Sequence, residues 1–323
     1  MLENRHDVCV FAPSFFLTLS IEKPNVENDA PAPNGDELHF HPGGQGFWIA
    51  RMLLRLGARP VLVAPVGGEA GEVLRALVRT WDVPLESVPI AAQSPAYVHD
   101  RRSGERQEIA QSRLPTLDRH ELDDLYGAVI AAATAARLCV VTGRFPGDST
   151  PLDFYRRLGA DLATIGVPTV GDLHGAELQA FLEGGALHTL KVSDDDLVED
   201  GVLPEDPTAA QRADAIRSLI ARNVQRVVVS AARGPTMFGT KDVMLYATPP
   251  TLETVDHRGS GDSMTAGLVF GALRGLEAEP TIRIACAAGA ANAIRRGLGN
   301  ADGDLVHRLA ERVGIDSHRE LAR

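Results

Sequence analysis

The chain has 323 residues, with 32 Lys+Arg against 43 Asp+Glu, a net charge of −11 and 44% hydrophobic residues. That composition supports one large α/β domain or two medium ones with substantial cores, and it excludes intrinsic disorder and collagen-like repeats. The acidic balance argues against nucleic acid or an anionic membrane as the main partner. No apolar run reaches the roughly 18–20 residues of a membrane span, and the charged start is unlike a signal peptide, so a cytoplasmic location is expected.

Short β-branched runs alternate with amphipathic segments. The pattern predicts a strand at 8–11, a helix at 44–56, a strand at 60–64 and a helix at 68–79. It resumes with a helix at 119–136, a strand at 138–141, a helix at 152–165, a strand at 168–171 and, after another helix, a strand at 226–230. Two helices rich in Ala, Gly and Leu follow at 260–275 and 280–296. This alternation predicts an α/β fold with a parallel, helix-covered sheet. Two segments, about 17–42 and 95–111, interrupt it. The first holds Pro24, Pro31, Pro33 and an Asn34-Gly35 turn, and the second reads as a hairpin around Ser103-Gly104. We expect them to form a small sheet over the main one, as a lid on a single domain spanning 1–323. Cys9, Cys139 and Cys286 lie far apart in sequence among apolar or small residues, and read as reduced core residues.

The segment most informative about chemistry is Thr254-Val255-Asp256-His257-Arg258-Gly259-Ser260-Gly261-Asp262-Ser263, where a strand gives way to Gly-x-Gly-Asp and a helix. A glycine-rich turn at a helix start points unpaired N–H groups at one spot beside the positive end of the helix dipole, which makes an anion hole. An Asp just inside it is placed to take a proton from an attacking hydroxyl while the hole holds charge on a transferred phosphoryl group. On its own the pattern is also that of an N-cap carboxylate on an ordinary helix.

This segment resembles the second signature of the ribokinase-like (PfkB) sugar kinases, and His41-Pro42-Gly43-Gly44-Gln45-Gly46-Phe47-Trp48-Ile49-Ala50 resembles the first. Between them, 141–147 is similar to the family's Gly-Ser-Leu-Pro-Pro-Gly turn and Gly171-Asp172-Leu173-His174-Gly175 to its Leu-Asp-x-Ser-Gly strand end. The run at 287–292 is similar to that of the 1-phosphofructokinase and tagatose-6-phosphate kinase branch. The resemblance implies a three-layer α/β/α sandwich with a mostly parallel sheet and a β-sheet lid, ATP and Mg²⁺ as cofactors, activation by a monovalent cation such as K⁺, and a homodimer formed through the lid. It also implies that Asp262 is the catalytic base, with Gly259, Ser260 and Gly261 as the anion hole. Arg258, Ser230, Asn292 and Lys191 then fall at nucleotide-binding positions. Ser193 and Asp196 stand where the family carries the Asn and Glu that organise Mg²⁺.

The acceptor end departs from the family. Phe16 replaces a sugar-binding Asp, Gln45 a Lys and Trp48 an Asn, while Gly43 and Gly44 remain. The Thr-Arg pair that meets a substrate phosphate reads Ala96-Tyr97. A pocket that drops partners for a polyol loses about 1–3 kcal/mol per unmatched hydroxyl, so a flatter or less hydroxylated acceptor is expected. Arg144, Arg101, Arg102 or Arg106 could replace the missing cations. Phe15 and Phe47 are expected to be packed under the lid. His39 and His41 share one side of a strand, which the lid explains better than a metal pair does. A kinase acting on an alcohol of a sugar, sugar phosphate or related small molecule is the leading reading. A kinase for a nucleoside-like acceptor and a nucleotide-binding pseudokinase stand as alternatives.

Overall fold

The computed structural model describes residues 6–24, 35–145, 147, 150–231, 234–295 and 297–317. The Asn34 turn, Pro31, Pro33, Pro146 and Arg233 lie outside the described residues. The first half of the chain contains β1 (Val8–Phe11), β2 (Phe16–Glu22), β3 (Glu37–Gly43), α1 (Gln45–Arg55), β4 (Pro60–Val66), α2 (Gly68–Thr80), β5 (Leu85–Pro89), β6 (Ala96–Asp100), β7 (Gln107–Gln111), α3 (Arg119–Thr134) and β8 (Leu138–Thr142). Next come α4 (Leu152–Thr164), β9 (Thr169–Asp172), α5 (Gly175–Gly184), β10 (Leu187–Ser193), α6 (Asp194–Glu199), α7 (Ala209–Ile220) and β11 (Val224–Ser230). Last are β12 (Thr236–Gly239), β13 (Met244–Thr248), α8 (Ser260–Leu273), α9 (Ala278–Ala293), α10 (Gly303–Ala310) and β14 (Gly314–Ser317).

A 10-stranded sheet runs in the order β14-β13-β12-β11-β10-β9-β8-β1-β4-β5. It is parallel from β5 to β11 and antiparallel beyond. Its strands read as apolar runs because both faces are covered. In β1, Val8 and Val10 join the core under α1, α8 and α9, while Cys9 and Phe11 join the core under α3, α4 and α5. The three layers expected from the resemblance are present. The strands that the sequence pattern left unassigned are β5, β10 and the antiparallel β12–β14. The three cysteines are buried and free, but Cys9 and Cys139 are cross-strand partners on β1 and β8, a proximity that their sequence separation hid.

The second sheet, β3-β2-β6-β7, is four-stranded. Thr18 opposes His41 and Ser20 opposes His39, whereas Leu19 opposes Phe40 and Ile21 opposes Leu38. The period-2 alternation therefore gives the sheet one polar and one apolar face. β2 and β6 pair with each other in parallel and lie inside the sheet, so they are not its exposed edges; those are β3 and β7.

Candidate active site

The carboxyl ends of β9, β10 and β11 carry Asp172, Ser193 and Ser230, and the start of α8 meets them there, as expected for ligand sites in open α/β sheets. Gly259 caps α8 in a left-handed conformation (φ 69°), which only glycine adopts without cost, and no side chain accepts from the first-turn N–H groups. The hydroxyls of Ser260 and Ser263 are buried with no hydrogen-bond partner among the described residues. The Ser260 N–H donates to the His257 carbonyl at 3.3 Å, while the glycine N–H groups of the turn and the two buried hydroxyls fit an anion such as a nucleotide phosphate.

Asp262 sits in the first turn of α8. Burial, and then the nearby charge of Asp172, push its pKa up to about 7, against a partial opposing pull from Lys191. Sequence reasoning named Asp262 but missed the network beneath it. Asp172, buried, accepts from the Thr265 hydroxyl at 2.5 Å and from Lys191 Nζ at 3.4 Å. Thr265 also reaches the Gly261 carbonyl at 3.2 Å. Burial lowers the Lys191 pKa, but the carboxylates of Asp172, Asp196 and Asp262 outweigh it and leave it raised. For Asp172, burial dominates and raises the pKa. Lys191 approaches so closely that a Cβ on Gly261 would lie 3.1 Å from Nζ. The signals for Asp172 in the sequence were its place at a strand end and its match to the Asp of the family's Leu-Asp-x-Ser-Gly motif.

Ser193 and Asp196 are joined in a capping box on α6: the Ser193 N–H donates to Asp196 at 2.7 Å, and the Asp196 N–H to the Ser193 hydroxyl at 3.0 Å. The expected metal-organising pair is thus occupied in closing a helix end. No group of three His, Cys, Asp or Glu among the described residues stands ready to hold a metal directly. Oxygen donors of Asp196, Asp172 and Asp262 around one lysine still fit Mg²⁺ held through its own water shell.

Asn292, fully buried, donates to the Arg258 carbonyl at 2.7 Å and accepts from the Gly299 N–H at 2.9 Å, so it clamps the turn from below rather than reaching outward. The Ser230 hydroxyl donates to the Val192 carbonyl at 3.4 Å. Arg258 is held by Asp256, with Nε 2.8 Å from Oδ1, and Arg101 of the lid reaches the same carboxylate at 3.2 Å and Glu22 at 3.4 Å. Burial favours protonation of Asp256, but Arg258 and Arg101 hold its pKa below the usual carboxylate range.

A cavity of about 510 Å³ lies between the polar face of the lid and the main body. Its apolar wall is Phe16, Phe40, Trp48, Trp81 and Leu298, and its polar wall includes Thr18, Ser20, Glu22, His39, His41 and His99, with Arg51, Arg101, Arg106 and Arg258. Phe16 and Trp48 line it, as expected, while Phe15 and Phe47 are fully packed away. Gly43 and Gly44 are dictated by sterics: a Cβ at Gly43 would lie 2.2 Å from the Phe16 ring, and one at Gly44, whose φ is 113°, would lie 2.3 Å from the Ser14 carbonyl. Gln45 does not line the cavity. Neither does Arg144, which is spent on Glu177 and, at 2.9 Å, on the Thr150 carbonyl. Arg102 pairs with Asp100 and Asp36. The loss of polyol partners expected from Phe16 and Trp48 is offset by the lid, whose hydroxyls and imidazoles face inward. His41 and His99 stay neutral near pH 7, since burial and then neighbouring arginines bring each pKa down to about 4.

Comparison with known proteins places this site in context. The family profile described as pfkB family carbohydrate kinase matches residues 16–303. The chain is 28% identical over 304 residues to ATP-dependent 6-phosphofructokinase isozyme 2 of Mycobacterium tuberculosis, covering 93% of this chain and 87% of that protein. It is 23% identical over 312 residues to 1-phosphofructokinase of Vibrio cholerae, covering 94% of each. The crystal structure of phosphofructokinase-2 from Escherichia coli in complex with potassium superposes with a TM-score of 0.84 at 21% identity, over 98% of this chain and 100% of that one. With the match spanning the lid, the Gly259 turn and Asp262, the chain belongs to the pfkB family of carbohydrate kinases.

Proposed function

We propose that the protein transfers the γ-phosphoryl group of ATP to an alcohol of a sugar, sugar phosphate or related small molecule bound in the lid cavity. The observation that carries this reading is Asp262, whose pKa of about 7 lets it accept a proton near neutrality, set in the first turn behind the Gly259 cap. Asp262 takes the acceptor proton as the acceptor oxygen attacks the γ-phosphorus, and ADP leaves in line. The N–H groups of Gly259 and Gly261 and the unpartnered Ser260 hydroxyl hold the developing charge, and Lys191 balances the carboxylates behind the base. Mg²⁺ bound with the nucleotide would neutralise phosphate charge, held through water by Asp196 and Ser193. Ser230, at the carboxyl end of β11, and Arg258, beside the anion turn, are the chain's contributions to the nucleotide side. Asn292 supports that turn, and the Asp256 loop is where a monovalent cation such as K⁺ would act.

The reading includes a homodimer closed through the lid, one domain spanning the chain, and a cytoplasmic setting, which three buried free thiols fit. Phe16, Trp48 and Trp81 in the cavity wall favour, as a second reading, an acceptor with a flat or aromatic part. ADP release from MgATP is tested across hexoses, hexose phosphates, polyols and nucleosides, beside Asp262→Asn. Acceptor-dependent release abolished by that substitution supports a kinase and names the acceptor class. Nucleotide binding without release from any acceptor would leave a pseudokinase.

A further inference from the structure

The lid hairpin carries a cation with an unusual partner. Arg106, beside β7, directs Nη2 to His99 Nε2 on β6 at 2.6 Å. As the donor is a guanidinium, that imidazole nitrogen accepts, and His99 is the neutral tautomer with its proton on Nδ1. Arg101 and Arg258 share Asp256, and Arg101 also takes Glu22, so both are offset by carboxylates. Arg106 instead rests on a neutral ring. The acid nearest this pair is Glu108, 3.9 Å from the same His99 nitrogen. Burial, then the charges of Arg258 and Arg101, destabilise the Arg106 cation more than Glu108 and Asp256 support it, so its pKa is lowered. A solvent-reaching guanidinium that lines the cavity and is hydrogen-bonded to a neutral imidazole nitrogen keeps the rest of its planar fork for an incoming anion.

We infer that Arg106, positioned by His99, binds an anionic group already present on the acceptor. The inference rests on the reading of the lid cavity as the acceptor site. The position also differs from the family's, because residues 96–97 at the opening of β6 carry no cation and the charge comes from the far end of the hairpin. The shared chemistry is an oxyanion, either phosphate or carboxylate.

Both tryptophans of the chain, Trp48 and Trp81, line the cavity, so intrinsic fluorescence reports its occupancy independently of turnover. The full-length protein is titrated with glucose, glucose 6-phosphate and gluconate, and ADP release is followed with the same three compounds. Arg106→Gln, Arg106→Lys and His99→Phe are measured alongside. At least one anionic probe is expected to bind tenfold or more tighter than glucose, and whichever does so identifies phosphate or carboxylate. Arg106→Gln should abolish that preference, with Arg106→Lys retaining part of it, and His99→Phe should weaken the preferred anion at least fivefold more than it weakens glucose. In turnover, the loss should fall on KM more than on kcat. Equal binding of all three probes, an equal weakening of all three by Arg106→Gln, or no fluorescence response to any of them overturns the inference. Anion preference without acceptor-dependent ADP release would leave the anion site standing and remove the kinase reading.

Discussion

The chemistry of the site turns on a carboxylate that is kept from ionising easily. Asp262 starts from an ordinary pKa of 3.8 and is brought to about 7 by burial and by Asp172. Because the base must be ionised to accept a proton, the rate of ADP release is expected to rise with pH through about 7, falling roughly tenfold per unit on the acid side. His41 and His99, held near 4, do not contribute in that range. Asp262→Asn is expected to cost about 10²–10⁴-fold in kcat while raising stability. The folded state retains a proton between pH 3.8 and about 7 that the unfolded chain releases, so stability from this group falls as pH rises through that window. The Tm advantage of Asp262→Asn should therefore grow from pH 5 to pH 7.5, and thermal melts at both values check it.

At the scale of elements, the site depends on two close contacts. α8 must lie tightly on α9 for its first turn to reach the ends of β9 and β10, and Gly267 allows this: a Cβ there would fall 2.6 Å from the Ala285 Cα. Gly267→Ala improves helix propensity by about 1 kcal/mol, but the clash is with backbone. A net loss of about 1–3 kcal/mol is expected from denaturant unfolding. The capping box on α6 gives a second test. Ser193→Ala should cost about 1 kcal/mol, whereas Ser193→Asn keeps a capping side chain. If Ser193 also organises hydrated Mg²⁺, the KM for MgATP rises in Ser193→Ala and recovers in Ser193→Asn; if it only caps, KM stays unchanged in both.

At the scale of the molecule, the lid has a polar face turned to the cavity and an apolar face turned outward, where Leu38 and Phe40 are 57% and 49% exposed. Ile109, on the edge strand β7, is 51% exposed. Large apolar side chains grouped on a small sheet mark a surface that is covered in use, and β3 and β7 offer unpaired edges beside it. The wild-type chain is therefore expected to sediment as a dimer, and Leu38→Asp, away from the cavity, to shift it towards monomer. A monomer at tens of micromolar in both would remove the lid-mediated dimer.

The sequence by itself determined the layers of the fold and the Gly-x-Gly-Asp turn that opens α8. Apolar runs and period-3.6 patterns gave β1, β4, β8, β9 and β11 and most of their helices because burial on both faces leaves a compositional mark, while β5 and β10 went unassigned. Gly259, Gly261 and Asp262 were legible because a phosphate turn constrains neighbours in sequence. Only the tertiary structure decided which side chains share a space. Asp172 is 90 residues from Asp262, and their coupling comes from β9 ending beside α8. Trp81, His99 and Arg51 carried no local motif, yet the lid brings them to Trp48 and His41 in one cavity. Asn292, Ser193 and Asp196 matched by position and Arg144 was a candidate replacement cation, but nearby groups claimed them, since a polar atom in a buried setting takes whichever partner the packing supplies. The polar lining from Thr18 and Ser20 was hidden for the same reason: alternation along a strand gives two faces, and only the packed lid shows which one meets the acceptor.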